Sequence, residues 1–232
     1  MKKIKFYTIE AYLGAIPEPV PAEQMAPDWF KAMRSKTDEK KATPINNSTI
    51  KMCPGIIDSF SYGYIMPAWC DLTMWWDEKN QLQIETAWVD KSSISAVTEM
   101  QFPNFNLPKN HRRVMIKLTM PWKVETDPGT SILVTHPKWR SDNFALYEGI
   151  VDSDNYINDI HAIISFDPSE KVNIKRGQPL VQIIPLIRED WRSEVKIWGD
   201  KESKKFNKQQ NTLFSHGVCG YMKHFWRPKK FY

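Results

Sequence analysis

The chain has 232 residues, 41% of them hydrophobic and 25% charged, so it can bury a real core in one or at most two domains and is not disordered as a whole. Nine glycines and no persistent heptad exclude collagen-like and coiled-coil architectures. No run approaches 18 consecutive apolar residues, and the opening Met1-Lys2-Lys3-Ile4-Lys5-Phe6-Tyr7 soon meets Glu10 and prolines, so neither a membrane-spanning helix nor a secretory leader is expected.

The net charge of +5 is unevenly spread. Residues 196–232 hold nine basic residues against Asp200 and Glu202, a net of +7, while residues 1–195 sum to −2. The same tail carries Trp198, Phe206, Phe214, Tyr221, Phe225, Trp226, Phe231 and Tyr232. Basic and aromatic residues together suit phosphates and stacked bases, and they equally suit a tail docked on a protein surface. Ten tryptophans point first to large core anchors. Cys53, Cys70 and Cys219 are odd in number and form no CxxC, which reads as reduced thiols. The five histidines lack ligand spacing, so a zinc site is not expected.

In chain order, residues 2–9 read as a first strand. Pro17, Pro19 and Pro21 favour extended geometry, and residues 27–33 read as a short helix with Pro27 at its start. Residues 35–48 are polar and read as a loop, and Cys53-Pro54 falls in a strand-like stretch. Strands are expected over 61–66, 71–76, 81–88, 113–119, 130–135, 159–166, 171–175 and 180–187, many alternating in period two between Pro, Gly, Asn or Asp. Residues 77–80 read as a hairpin turn, and 205–224 as helical. Asp58 and Asp71 flank an aromatic turn at Tyr62-Gly63-Tyr64 and read as turn or edge carboxylates. The fold class expected is mainly β: a β-clip-like or jelly-roll-like barrel or sandwich over 1–195, with a short N-terminal helix and a basic C-terminal extension over 196–232.

Phosphate-loop, dinucleotide, zincin, nucleophile-elbow and EF-hand signatures are absent. One stretch carries chemistry. Gly149-Ile150-Val151 reads as a buried strand delivering Asp152 and Asp154 to one face, beside Tyr156. Two carboxylates on one face can hold a divalent cation, or one can orient a water; an Asp- and Asn-rich turn is the plainer reading. Arg176-Gly177 turns the chain into an apolar strand where Gln182 needs a hydrogen-bonding partner if buried.

These residues resemble the third and fourth motifs of the dUTPase and dCTP-deaminase superfamily of β-clip proteins. Gly149, Asp152, Asp154 and Tyr156 match the third, and Gly177, Leu180 and Gln182 the fourth, with Tyr156 lying 21 residues before Gly177 and 26 before Gln182. The resemblance implies Asp152 as the water-activating base, Tyr156 as the platform under the sugar, Asp154 and Gln182 as further ligand-binding residues, and Mg²⁺ accompanying the ligand. It also implies a homotrimer with sites between subunits. Asn155 is inserted before Tyr156, His136-Pro137-Lys138-Trp139-Arg140 stands where the second motif is expected, and Ser215-His216-Gly217-Val218-Cys219-Gly220 is a poor substitute for the closing motif. The expectation is therefore a nucleotide-binding protein with little or no hydrolysis. A second resemblance runs through Pro27-Asp28-Trp29-Phe30, Lys51-Met52-Cys53-Pro54, Pro121-Trp122, residues 149–156 and Arg188-Glu189-Asp190-Trp191, and is to a family of tailed-bacteriophage proteins. It implies action in a host cytoplasm or a virion. The alternatives are a virion or assembly component with a β-sandwich body, and a nucleic-acid-binding protein using the tail.

Overall fold

A computed structural model describes residues 2–37, 48–88, 90–112, 114–215, 219–227 and 229. The strands are β1 (Ile4–Tyr7), β2 (Val20–Pro21), β3 (Tyr64–Pro67), β4 (Leu72–Trp76), β5 (Leu82–Thr86), β6 (Ile94–Thr98), β7 (Val114–Thr126), β8 (Thr130–Thr135), β9 (Ala145–Tyr147), β10 (Gly149–Val151), β11 (Asn158–Ser165), β12 (Val172–Ile174) and β13 (Pro179–Ile187). The α-helices among the described residues are α1 (Asp28–Ala32), α2 (Pro54–Ser61), α3 (Asp200–Ser215) and α4 (Cys219–His224), and short 3-10 turns join several of the elements. The protein is mainly β, as its alternating patterns predict, and every strand pairing is antiparallel. The sheets are open; among the described residues none closes into a barrel.

The chain divides into two compact units. The first is built from residues 1–25 and 63–188 and holds all three sheets. Its longest strand, β7, buries Ile116, Leu118, Met120, Trp122 and Val124 and turns Lys117, Thr119, Lys123 and Glu125 the other way. That alternation fixes which face meets the core, because a one-residue slip would expose the whole apolar set. One edge of β7 pairs with β11; the other carries β6 on Val114–Leu118 and β1 on Lys123–Thr126. Pro121 lies in the interval left open between them, where a missing N–H breaks no ladder bond; its carbonyl accepts from the Thr8 hydroxyl at 2.8 Å.

The second sheet runs β10-β8-β13-β3-β2 and the third β12-β4-β5. Trp69, Met74, Leu118, Ile132, Ile164 and Ile183 lie in one continuous core of the first unit. Gly63 enters β3 at φ +77°, and a Cβ there would sit 2.0 Å from the Ile183 carbonyl oxygen, so only glycine lets β3 lie this close to β13. The 77–80 turn forms as expected: Asp77 accepts from the N–H groups of Lys79 and Gln81 at 2.9 and 2.8 Å.

The second unit comprises residues 26–62 and 189–232. Residues 196–232, expected as a C-terminal extension, are grouped in this unit with residues 26–62. Phe30 and Phe60 pack edge to face at 4.5 Å. Lys51 Nζ caps the end of α1, donating to the carbonyls of Lys31 and Met33 at 2.9 and 2.8 Å. Asp58 accepts from Trp226 Nε1 at 3.1 Å and pairs with Lys229, tying α2 to the end of the chain. The strand-like reading of Cys53-Pro54 is corrected: Pro54 opens α2, its ring pre-set for the first helical position. The expected helix over 205–224 is two helices, α3 and α4. The loop expected over 35–48 falls largely outside the described residues; its ends are bridged, Lys36 to Ser48.

Candidate functional site

Residues 149–156 are built differently from expectation. β10 is an edge strand paired only with β8, so Ile150 is 67% exposed rather than buried. The strand ends at Val151, and Asp152 and Asp154 lie in the turn after it. The backbone N–H groups of Asn155 and Tyr156 both donate to the Asp152 carbonyl, at 3.0 and 2.9 Å. Ser153, almost wholly buried, anchors the turn through a 2.8 Å hydroxyl contact with Thr126, whose hydroxyl also donates to the Thr130 carbonyl at 2.7 Å.

Both carboxylates converge on Arg188, just past β13. Arg188 Nη1 donates to Asp154 Oδ1 at 2.9 Å and Nη2 pairs with Asp154 Oδ2, a bidentate fork. Asp154 Oδ2 also accepts from the Gly129 N–H at 2.8 Å, a contact made possible by the left-handed Gly129 (φ +78°) between β7 and β8. The Asp154 side chain is only 4% exposed. The Arg188 fork, aided by the Gly129 N–H, holds its carboxyl down at about 2 against the opposing effect of burial. Arg188 is correspondingly raised by Asp154 and then Asp152.

Asp152 is held more loosely. Its Oδ1 accepts from the Ser131 hydroxyl at 2.6 Å and lies 3.2 Å from Arg188 Nη1, while its side chain remains 62% exposed. Ser131 also accepts from Arg188 Nη1 at 3.0 Å. Register explains the cluster: Ile150 is opposite Leu133 and Leu133 opposite Ile184, so strand alternation puts Ser131 and Arg188 on the Ile150 face of the sheet. Tyr156 is 60% exposed, and its hydroxyl accepts from Asn158 Nδ2.

Gln182 does not join this group. It is fully buried in β13 opposite Thr135, and its Oε1 accepts from the Lys138 N–H at 3.0 Å. Six residues of strand separate it from Arg188, about 20 Å at ~3.3 Å per residue. It lies instead with the segment that replaces the expected second motif. There Lys138 Nζ donates to Glu148 at 2.9 Å and to Thr135 at 2.7 Å, and His136 meets Asp142 at 2.9 Å. Thr135 and then Lys138 pull the Glu148 carboxyl below its ordinary value. The stretch 216–218, part of the segment set against the closing motif, lies outside the described residues.

The divalent-cation reading of the Asp152 and Asp154 pair does not fit. Arg188 and the Gly129 N–H take both Asp154 oxygens, and the guanidinium stands where a cation would. Among the described residues no group of three His, Cys, Asp or Glu could hold a metal. Sequence reasoning missed Arg188 and Ser131 as parts of this site. The available signal was an arginine ending an apolar strand, in a chain whose only same-motif carboxylate pair lacked a cationic partner.

No protein-family model matches the sequence, nor does any curated protein. Among solved structures the chain is similar to the dUTPase from phage phi11 of S. aureus (13% identity, 57% of this chain and 98% of that one, TM-score 0.29) and to the Staphylococcus bacteriophage 80alpha dUTPase (13%, 56% and 96%, TM-score 0.27). A variant of the phi11 protein, described with a structural Mg(II) ion, is similar at 12% identity over 56% of this chain and 97% of that one, with a TM-score of 0.29. At these scores the superpositions set no residue correspondence, and the site rests on its own geometry.

Proposed function

We propose that the protein binds a nucleotide at the turn bearing Asp152 and Tyr156, with little or no hydrolysis. The observation that carries this reading is the contrast between the two carboxylates. Asp154 is locked by Arg188, and that rigid frame leaves the Asp152 carboxylate and the Tyr156 ring, four residues apart on one turn, both exposed to solvent. A ring face can pack on a sugar or base, and the carboxylate can accept a hydroxyl or order a water. Asp152 already shares its charge with Arg188 and accepts from Ser131, which favours holding a ligand over abstracting a proton. Any Mg²⁺ would arrive with the ligand's phosphates.

The site is completed between copies of the chain. Gln182, about 20 Å along β13 from Arg188, and Lys138, whose N–H it holds, stand away from the Asp152 turn of their own chain, so a neighbour supplies them. Exposed Ile150, Tyr156, Ile157 and Ile187 suit such a contact, as do Trp191, Val195 and Ile197 in an almost wholly exposed segment. A homotrimer is the assembly expected. Gln182 would act there by holding the Lys138 backbone in place.

A thermal-shift screen of deoxynucleotides and cyclic or signalling nucleotides, with and without Mg²⁺, tests this. A ligand at 100 times its Kd raises stability by about 2.7 kcal/mol. Tyr156→Ala weakens binding by about 1–3 kcal/mol, the worth of a stacking surface. Asp152→Asn changes affinity modestly; a fall in turnover by roughly 10² or more would instead identify a hydrolase with Asp152 as base. No shift with any nucleotide at millimolar concentration, or a 27.2 kDa monomer by light scattering, overturns the reading and leaves the virion component in its place.

A further inference from the structure

A cavity separate from the Asp152 turn lies in the first unit where the edge of β7 is open between β1 and β6. It measures about 260 Å³ and reaches Thr119–Pro121 at its floor. Tyr7, Tyr12 and Trp88 provide aromatic walls, the Tyr12 and Trp88 rings meeting at 5.0 Å and 52°. Three charged residues line it: Asp90, Asp159 and Lys123. Lys123 is held by Asp159 at 2.8 Å. Asp90 Oδ1 accepts from Ser92, by its N–H at 3.0 Å and its hydroxyl. Among the described residues nothing bonds Asp90 Oδ2 or the Trp88 indole.

We propose that this cavity binds a guanidinium group. Among the described lining residues the charge is −1, and Lys123 is already spent on Asp159, so an anionic ligand would meet the carboxylate of Asp90 with no described cation to offset it. A guanidinium reverses each of those terms. Its plane stacks on one ring of the Tyr12–Trp88 pair, with the other, inclined ring against its edge, its N–H groups reach Asp90 Oδ2, and its positive charge is drawn by the ring quadrupoles. The surrounding Ser93 and Thr119 are already bonded, to the Asp90 carbonyl at 2.7 Å and to His161 at 3.3 Å, so the specificity falls to the rings and the carboxylate. The ligand is a free guanidino compound or an arginine side chain of a polypeptide, which share this chemistry. This site is independent of the nucleotide reading and opposite to it in the charge it selects.

Calorimetric titration of the full chain with agmatine and with N-acetyl-arginine amide tests the proposal, with N-acetyl-citrulline amide as the neutral isostere. Binding of either arginine-type probe and loss of the citrulline probe is the expected result. Agmatine carries a second, ammonium charge, so a free guanidino ligand is assigned only where agmatine binds more tightly than both N-acetyl-arginine amide and 1,4-diaminobutane, and tighter N-acetyl-arginine amide binding assigns a polypeptide side chain. Asp90→Asn keeps an acceptor for Ser92 and lowers affinity by about tenfold. Trp88→Leu does so by a similar factor, provided its melting temperature stays near that of the parent; Tyr12→Leu is the substitute if it does not. Equal binding of citrulline, no effect of Asp90→Asn, or no binding of either probe at about 10 mM overturns the proposal.

Discussion

Arg188 decides the character of the candidate site one residue at a time. Its fork neutralises Asp154, its Nη1 touches Ser131 and approaches Asp152, and its backbone N–H donates to the Gly129 carbonyl at 2.9 Å. Removing it leaves Asp154 buried without its cation, which is the costly way to break such a pair. Arg188→Ala is therefore expected to lower the melting temperature more than Asp152→Asn, whose target is largely solvated. The pH dependence has a definite sign. Asp154 sits at about 2 in the folded protein against an ordinary 3.8, so the unfolded chain binds the proton first. Its contribution is fully present above the unfolded value and is lost as pH falls from about 4 through about 2. Urea unfolding at pH 5 and pH 3 should show a smaller acid loss in Arg188→Ala than in the parent; an equal loss would mean that the fork does not depress Asp154.

Strands carry the stability of the first unit because their alternation separates core from surface residue by residue. Leu118 and Lys117 are neighbours in β7, opposite Ala162 and Ile163 of β11, yet only Leu118 is fully buried. Leu118→Ala should cost about 2–5 kcal/mol, the range for deleting a buried aliphatic side chain. Lys117→Ala should stay within about 0.5 kcal/mol. Chemical denaturation of the two variants checks the face assignment, and a comparable loss from both would mean that β7 is buried on two sides. β13 is legible in its sequence almost to the residue, expected over 180–187 and found over Pro179–Ile187, whereas the strand expected over 113–119 stops short of Pro121 and β7 runs on to Thr126, because a proline at an open stretch of edge does not end a strand.

At the scale of the whole molecule, the two units are each assembled from two separated stretches of chain. The first keeps its core entirely within residues 1–25 and 63–188, so a chain ending at residue 195 retains every strand and every core residue of that unit. It should still unfold cooperatively with near-ultraviolet dichroism from its buried tryptophans. The same truncation removes Trp226 and Lys229 from Asp58, and α3 and α4 with them, so residues 26–62 should become protease-sensitive in it. Cooperative melting lost altogether would show that the first unit depends on the second.

Alternation, turn residues and helix-opening prolines are local signals, which is why the chain by itself determined a mainly β protein, the 77–80 turn, and most strand positions to within a few residues. The same locality explains the misreadings. Ile150 reads as buried because it is apolar, but burial depends on whether another strand lies beyond β10, and none does among the described residues. Asp152 and Asp154 read as a pair for a cation because their spacing is visible; Arg188 lies 34 residues beyond Asp154, and only the pairing of β10 and β13 on either side of β8 brings it there. Gln182 reads correctly as a buried amide in need of a partner, while its separation from Arg188 is set by the run of β13. The unit of residues 26–62 with the tail, and the cavity at the open edge of β7, have no local signature at all. They arise from contacts between segments remote in sequence, where partner choice depends on sheet order and register rather than on any residue's own preference.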